Sequence, residues 1–235
     1  MQDGYMKKIL ISLSAGAALL FGTVSAFSAD GIGIGVALSA ARISASGTEV
    51  ETGRIAAETN AAAVHNNTAI GSIFAEYTKG WLTVGLDYVP VDADVSDKTK
   101  TRNDTETSVT GTTTTTTTAR TQSAQAQISD HLTAYVEVGS AAYLKAGYVQ
   151  VTVDTQESLG TGSTYGNADL NGVLLGVGYK GDWGSNGFYK LEGTYTDYDT
   201  LSITSGVART GVTTNNKITA DLDVSQIKLG VGVRF

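Results

Sequence analysis

The sequence predicts an all-β chain, an antiparallel up-and-down transmembrane β-barrel of eight strands behind an N-terminal signal peptide. Three observations predict it. Segments in which apolar and polar residues alternate recur along the chain. The connections between them are short and long in turn. The longest apolar run, Ile9 to Phe21, stands near the N-terminus, after a basic start and ahead of small residues. Composition agrees. With 28 Gly, 1 Pro and 0 Cys in 235 residues, the chain is no collagen, Pro-rich linker, helical bundle or disulfide scaffold. The missing thiols also exclude thiolate metal sites and cysteine nucleophiles. A net charge of −7 argues against nucleic acid as a partner, because phosphate binding needs basic clusters.

The first element is the export signal. Met6-Lys7-Lys8 supplies the expected initiator and basic start, with Met1 to Tyr5 upstream of it. Val24-Ser25-Ala26 offers small residues for cleavage after Ala26, with Ala29 as an alternative. Residues 1–26 are thus expected to be removed, leaving 27–235 as the barrel. The apolar run is short for a membrane helix, and no later stretch approaches the ~20 apolar residues one requires. A mature chain of this kind would enter a membrane only as strands.

Strands are expected near 31–44, 69–79, 81–91, 122–138, 142–153, 170–180, 187–198 and 217–235. Alternation is clearest in two. Leu82, Val84, Leu86 and Tyr88 alternate with Thr83, Gly85 and Asp87. Ile227, Leu229, Val231, Val233 and Phe235 alternate with Gln226, Lys228, Gly230, Gly232 and Arg234. Short connections fall at Gly80, at Gly139-Ser140 and at Gly181–Asn186, and long ones at 45–68, 92–121, 154–169 and 199–216. Short turns on one rim and long polar loops on the other are the pattern of an outer-membrane barrel. An even strand count then puts both ends of the barrel at the short-turn, periplasmic rim.

Charge assigns the faces. Lys or Arg at a lipid-facing midplane costs about 2–4 kcal/mol, so strand charges are expected inside. This places Glu76, Asp87, Glu137, Lys145, Lys190, Glu192, Lys228 and Arg234 in the lumen. Their neighbours Tyr77, Leu86, Val136, Leu144, Leu191, Leu229 and Val233 then face lipid. A balanced set of acids and bases suits a paired network, and the interior of eight strands is just wide enough for side chains to fill. A plugged lumen is expected. Ile218, Ala220, Leu222 and Val224 break phase with Ile227, and Val149, Val151 and Val153 share the parity of Lys145. These read as strand extensions above the membrane, where face constraints relax, or as a bulge near Ser225-Gln226. Two aromatic girdles are expected: Tyr77, Trp81, Tyr143, Tyr179, Phe188, Tyr189 and Phe235 by the short turns, and Tyr88, Tyr148, Tyr195 and Tyr198 by the long loops.

With its signal peptide, eight strands, alternating connections and apolar C-terminal strand ending in Phe235, the chain resembles the small outer-membrane barrels of the OmpA/OmpX type. The resemblance covers nearly the whole mature chain and is architectural, without an extended motif. It implies that Leu229, Val231, Val233 and Phe235 form the strand read by the barrel-assembly machinery.

The loops are poor in chemistry. Loop 92–121 carries Asp92, Asp94, Asp97, Lys98, Lys100, Arg102, Asp104, Glu106 and the run Thr112–Thr118, a β-prone tract that can extend its flanking strands as a hairpin. The Ala-rich stretch Ala56 to Ala63 suggests a helical turn. Gly160–Asn167 lacks the lysine and following helix of a phosphate loop, which excludes nucleotide binding. Of the two histidines, His131 neighbours Asp130, but adjacent strand residues point to opposite faces. No serine sits in a Gly-x-Ser-x-Gly elbow. Asp92-x-Asp94 and Asp221-x-Asp223 offer same-face carboxylates for Ca²⁺ or Mg²⁺ without a full calcium-loop pattern. No catalytic, cofactor or metal site is expected. The reading is a non-enzymatic, monomeric outer-membrane barrel that supports the envelope and displays loops for surface attachment or recognition. Its partners would be lipid and lipopolysaccharide, the assembly machinery, and a surface ligand or phage. A narrow porin-like channel, a barrel enzyme and a soluble lipocalin-like binder are the alternatives.

Overall fold

One pairing closes the barrel: the first strand, β1 (Gly31–Glu51), runs antiparallel to the last, β13 (Lys217–Arg234), from Gly33↔Arg234 to Val50↔Lys217. The structure is a computed structural model and describes residues 30–51, 58–96, 99–104, 107–110, 113–116, 120–158, 164–206 and 215–235. The proposed signal segment lies outside these residues, as do Asp97, Lys98, Glu106, Thr112, Thr117 and Thr118.

Between β1 and β13 the wall contains β2 (Glu58–Lys79), β3 (Leu82–Val89), β8 (Arg120–Gly139), β9 (Ala142–Ser158), β10 (Ala168–Trp183) and β11 (Gly187–Tyr198). Each pairs antiparallel with its neighbours, which gives a ring of eight strands. Short pieces continue two of them outward. β4 (Ala93–Asp94) and β5 (Lys100–Asp104) follow β3 along β8, and β12 (Leu201–Thr204) follows β11 along β13. The Thr-rich tract forms a separate hairpin of β6 (Thr107–Thr110) and β7 (Thr113–Thr116). Tight turns at Gly80 (φ 59°) and Gly184 (φ 61°) use the left-handed conformation that glycine adopts without a Cβ penalty.

The long connections are shorter than their composition suggests, because the strands run on past the apolar belt. β1 and β2 pair as far as Glu51↔Glu58, so Ala61, Ala62 and Ala63 lie in a strand and not in a helical turn. Ala has no strong strand preference, and the ladder with β1 overrides its helical one. The expected bulge near Ser225-Gln226 is absent. The β1–β13 register passes Ile43↔Val224, Arg42↔Ser225, Ala41↔Gln226 and Ala40↔Ile227 without a shift. The bulge is in β8 instead, between Ser129 and Leu132, with Asp130 at φ 49°. Aspartate tolerates this conformation better than most residues.

The outer wall is greasy. Leu38, Leu144, Leu175, Ile227 and Leu229 are 56–67% exposed, alternating along the wall strands with buried or half-buried positions. A closed barrel with such a belt is a lipid-facing surface. Tyr77, Trp81, Trp183 and Phe235 edge it at the short-turn rim, where the Trp183 and Tyr189 rings stack at 6.3 Å. Tyr88 and Tyr148 edge it opposite. Tyr143, Phe188 and Tyr198 are not girdle residues. They are buried and point inward, because they share the parity of Lys145, Lys190 and Thr196.

Candidate functional site

The lumen is built in three tiers, and each follows from residue type on inward-facing positions. At the short-turn end and midplane it is ionic. Glu76, Asp87, Glu137, Lys145, Lys190, Glu192 and Arg234 are all buried, and Lys228 is partly so. Lys190 is the hub. Its Nζ lies 2.8 Å from Glu76 Oε2, 3.4 Å from Glu192 and against Glu137. Lys145 reaches Glu192 at 3.0 Å and Glu137 at 3.7 Å. Lys228 pairs with Asp87 at 2.9 Å, and Ser72 donates to the same oxygen. Two residues outside the expected set join. Lys180 donates to Glu137 at 3.2 Å and to Thr83 at 2.8 Å, and Asp182 receives Arg234 at 2.8 Å. Lys180 had a signal in the sequence: it is the one charge in the expected strand 170–180 with the parity of Leu174 and Gly176. Asp182 lay in the expected turn, and β10 runs on to Trp183.

Aromatic rings fill the space between the ions. Tyr135 donates to Glu76 at 3.0 Å and Tyr143 to Glu192 at 2.7 Å. Lys145 Nζ sits 3.8 Å from the Tyr135 ring centre, and the Arg234 guanidinium 4.6 Å from that of Phe188. These rings fit because their ladder partners on the neighbouring strands, Gly85 and Gly178, carry no side chain. A Cβ on Gly85 would strike the Tyr135 ring, and one on Gly178 the Tyr143 ring. Pairing each buried charge with several partners is what makes its burial tolerable.

Above the ions the lumen is apolar. Ala41, Ile43, Ile128, Val149, Val151, Val153, Leu170, Leu174, Leu222 and Val224 form one buried cluster. The phase break in β13 and the parity of Val149 to Val153 are therefore not a relaxation of the facing rule. These side chains point inward, and what changes along the axis is the lumen, from ionic to apolar. His131 lies at the boundary, its Nε2 3.1 Å from Tyr198 Oη, while Asp130 is exposed on the other face.

Over this septum opens a cavity of about 490 Å³, walled by Ala45, Val64, Val95, Ala126, Val153, Leu170, Leu201, Ile203 and Leu222. Polar residues rim it. Tyr165 donates its hydroxyl to Glu49 at 2.7 Å and its amide to Glu157. Burial, then the Glu49 carboxylate, pushes the Tyr165 hydroxyl well above the ordinary tyrosine range.

The wall of this vestibule has a seam. The β2–β3 ladder runs from Lys79↔Leu82 to Ile73↔Tyr88 and stops. Pro90, the one proline of the chain, follows β3 and has no N–H to continue a ladder. Beyond it β4 and β5 pair with β8. Among the described residues, β2 from Glu58 to Ser72 is laddered to β1 alone. The first missing rungs lie in the belt, since Gly71 pairs with Leu38 and Ala69 with Ala40, which in turn faces Ile227.

The carboxylates singled out as metal candidates are otherwise engaged or apart. Asp94 accepts from Gln127 and Asp221 from Thr200, each at 2.8 Å. Among the described residues no three His, Asp or Glu side chains converge as metal ligands. Leu229, Val231, Val233 and Phe235 all project outward, 56%, 38%, 44% and 76% exposed.

No family model matches the chain, and no curated protein matches it in sequence. Solved structures do. The outer membrane protein OprG from Pseudomonas aeruginosa superposes with a TM-score of 0.51 at 14% identity, over 91% of this chain and 99% of its own. Ail, the attachment invasion locus protein of Yersinia pestis, gives 0.36 at 13% identity, over 88% of this chain and 100% of its own. The outer membrane protease OmpT from Escherichia coli gives 0.37 at 10% identity, over 91% and 99%. At such identities the OprG likeness is one of fold, and the chain has the fold of a bacterial outer-membrane β-barrel.

Proposed function

We propose that this protein resides in the bacterial outer membrane and admits small apolar molecules from the exterior into the outer leaflet. The observation that carries this reading is the seam: an apolar vestibule whose side wall loses its ladder where the lipid-facing belt begins. A molecule entering the vestibule meets an apolar floor and, below it, a lumen filled by paired charges. The path of least desolvation is sideways, between β2 and β4, into hydrocarbon. In this reading Glu76, Asp87, Glu137, Lys145, Lys190, Glu192, Lys228 and Arg234 act as a structural plug, and no catalytic step is involved. Lipid and lipopolysaccharide surround a monomer. The outward strand Leu229, Val231, Val233 and Phe235 serves the assembly machinery, as an apolar-faced edge can add to another sheet.

The test uses N-phenyl-1-naphthylamine, which fluoresces when it enters an apolar phase. Cells displaying the protein should take it up several-fold faster than cells without it. Planar bilayers holding the pure barrel should show no discrete conductance steps. Equal uptake, or steady ion conductance, would favour an inert wall or a porin.

A second reading, surface attachment, has its own observation. The β6–β7 hairpin stands beyond the barrel as an independent two-stranded sheet of Thr, Ser and Val. Such a hairpin offers open backbone edges to a surface partner. Deleting 107–116 should abolish adhesion to a host or abiotic surface while leaving probe uptake intact.

A further inference from the structure

We propose that Asn66 is the latch of the seam, the positioning residue that holds β2 against β4 where backbone pairing is missing. The inference rests on the lateral route proposed above and adds to it the group that controls the route. The Asn66 side chain lies on the inward parity of β2, partly buried, and its Nδ2 donates to the Asp94 carbonyl at 2.8 Å. It thus occupies the place of a ladder rung with a side chain. The acceptor is held firmly. Asp94 pairs with Gln127 of β8 through the backbone and takes a second bond, 2.8 Å, from the Gln127 amide. Gln127 in turn accepts from Gln156 on β9. Asn66 is therefore tied through hydrogen bonds to β4, β8 and β9, while among the described residues β2 is laddered at this height to β1 alone.

The chemistry suits a seam that must part and reclose. A ladder from Glu58 to Ser72 would hold the edges through many cooperative bonds. A single bond between neutral groups biases an equilibrium by a few-fold to about tenfold, so thermal motion breaks it often and it reforms without a barrier from desolvated charge. Asparagine alone among the neighbouring inward residues of β2, Val64, Thr68 and Ile70, carries a long enough donor with no charge.

The absence of cysteine in the chain makes the test direct. Nitroxides on His65→Cys and Val91→Cys report the width of the seam, and N-phenyl-1-naphthylamine uptake reports passage. With Asn66→Ala or Asn66→Asp, which cannot donate, the spin–spin distance distribution should broaden to longer values and uptake should rise two- to tenfold. Asn66→Cys joined to Asp94→Cys by a short bismaleimide should reduce uptake to that of cells lacking the protein. If the distance distribution is unchanged by Asn66→Ala while the wild type still speeds uptake, the latch is refuted and the route stands. If the distribution broadens but neither wild type nor variant speeds uptake, the latch holds the wall and the route is refuted.

Discussion

Lys190 Nζ and Glu76 Oε2 stand 2.8 Å apart at the middle of the lumen, although 114 residues separate them in sequence. Both are buried, and each keeps further partners, Glu137 and Glu192 for Lys190 and Tyr135 for Glu76. Removing the lysine takes from Glu76 its nearest cation, leaving Arg234 at 3.9 Å, and leaves Glu137 and Glu192 to Lys145 and Lys180 alone. Lys190→Met should destabilise the barrel by about 3–5 kcal/mol, read as urea unfolding from lipid vesicles. The double change Lys190→Met with Glu137→Gln should recover part of that loss.

Gly178 is the ladder partner of Tyr143 on the neighbouring strand, and the Tyr143 ring lies over it. A methyl group there forces the ring off its site and breaks the Tyr143–Glu192 bond. Gly178→Ala should cost about 1–3 kcal/mol and narrow the temperature range over which the unheated band resists gel unfolding. Gly193 has open space at its Cβ, so Gly193→Ala serves as the neutral control.

Asp223 sits on the outer face of β13 above Ile227, outside the membrane-spanning part, and pairs across the ladder with Asp197. Burial, then repulsion from Asp197, raises its carboxyl above the ordinary aspartate range, against a hydrogen bond from Ser44 and the charge of Arg42. A folded-state value above the unfolded one means the native state binds the proton more tightly. Its contribution to stability is complete below the unfolded value and is lost as pH rises through the folded value. Asp223→Asn should therefore stabilise the barrel at neutral pH, with the advantage vanishing in acid. Unfolding midpoints across that pH range check it.

Pro90 ends β3 at the foot of the seam. Pro90→Thr restores a donor and a strand-favouring side chain, so the β2–β3 ladder should lengthen. The expected outcome is several-fold slower uptake of the apolar probe, with unchanged mobility of the folded band.

Among the described residues Phe235 is the most exposed large apolar side chain, 76% open at the short-turn rim. Phe235→Ala should leave refolding in detergent nearly unaltered and lower the amount of barrel inserted in cells. Parallel measurement of the two separates a role in assembly from one in stability.

Much of this architecture is legible because lipid imposes a strict rule. Where Leu82 to Tyr88 and Ile227 to Phe235 cross hydrocarbon, every second residue must be apolar, and a charge such as Asp87 or Lys228 can only face inward. The rule lapses in two directions. Inside, ring chemistry does not announce a face, and Tyr143 and Phe188 read as girdle until their parity with Lys145 and Lys190 is considered. Beyond the belt, nothing in Thr59 to Thr68 demands alternation, so the length of β2 depends on a partner chosen by tertiary structure. The vestibule and its seam were not legible for the same reason. They depend on Ala93-Asp94 pairing with Ile128-Gln127 and not with β2, a choice between non-local edges that no local pattern encodes.

The pairing of Gly33 with Arg234 has a consequence for biogenesis. The first strand of the ring cannot find its final neighbour until the last residues have crossed, so this closing pair spans nearly the whole barrel sequence and its loop closure comes late. Throughout that delay one margin of the growing sheet stays sticky and prone to aggregation in the aqueous periplasm. Shielding of Gly31 to Leu38 until Lys217 to Arg234 arrive would therefore serve the topology itself, whatever the finished cylinder does.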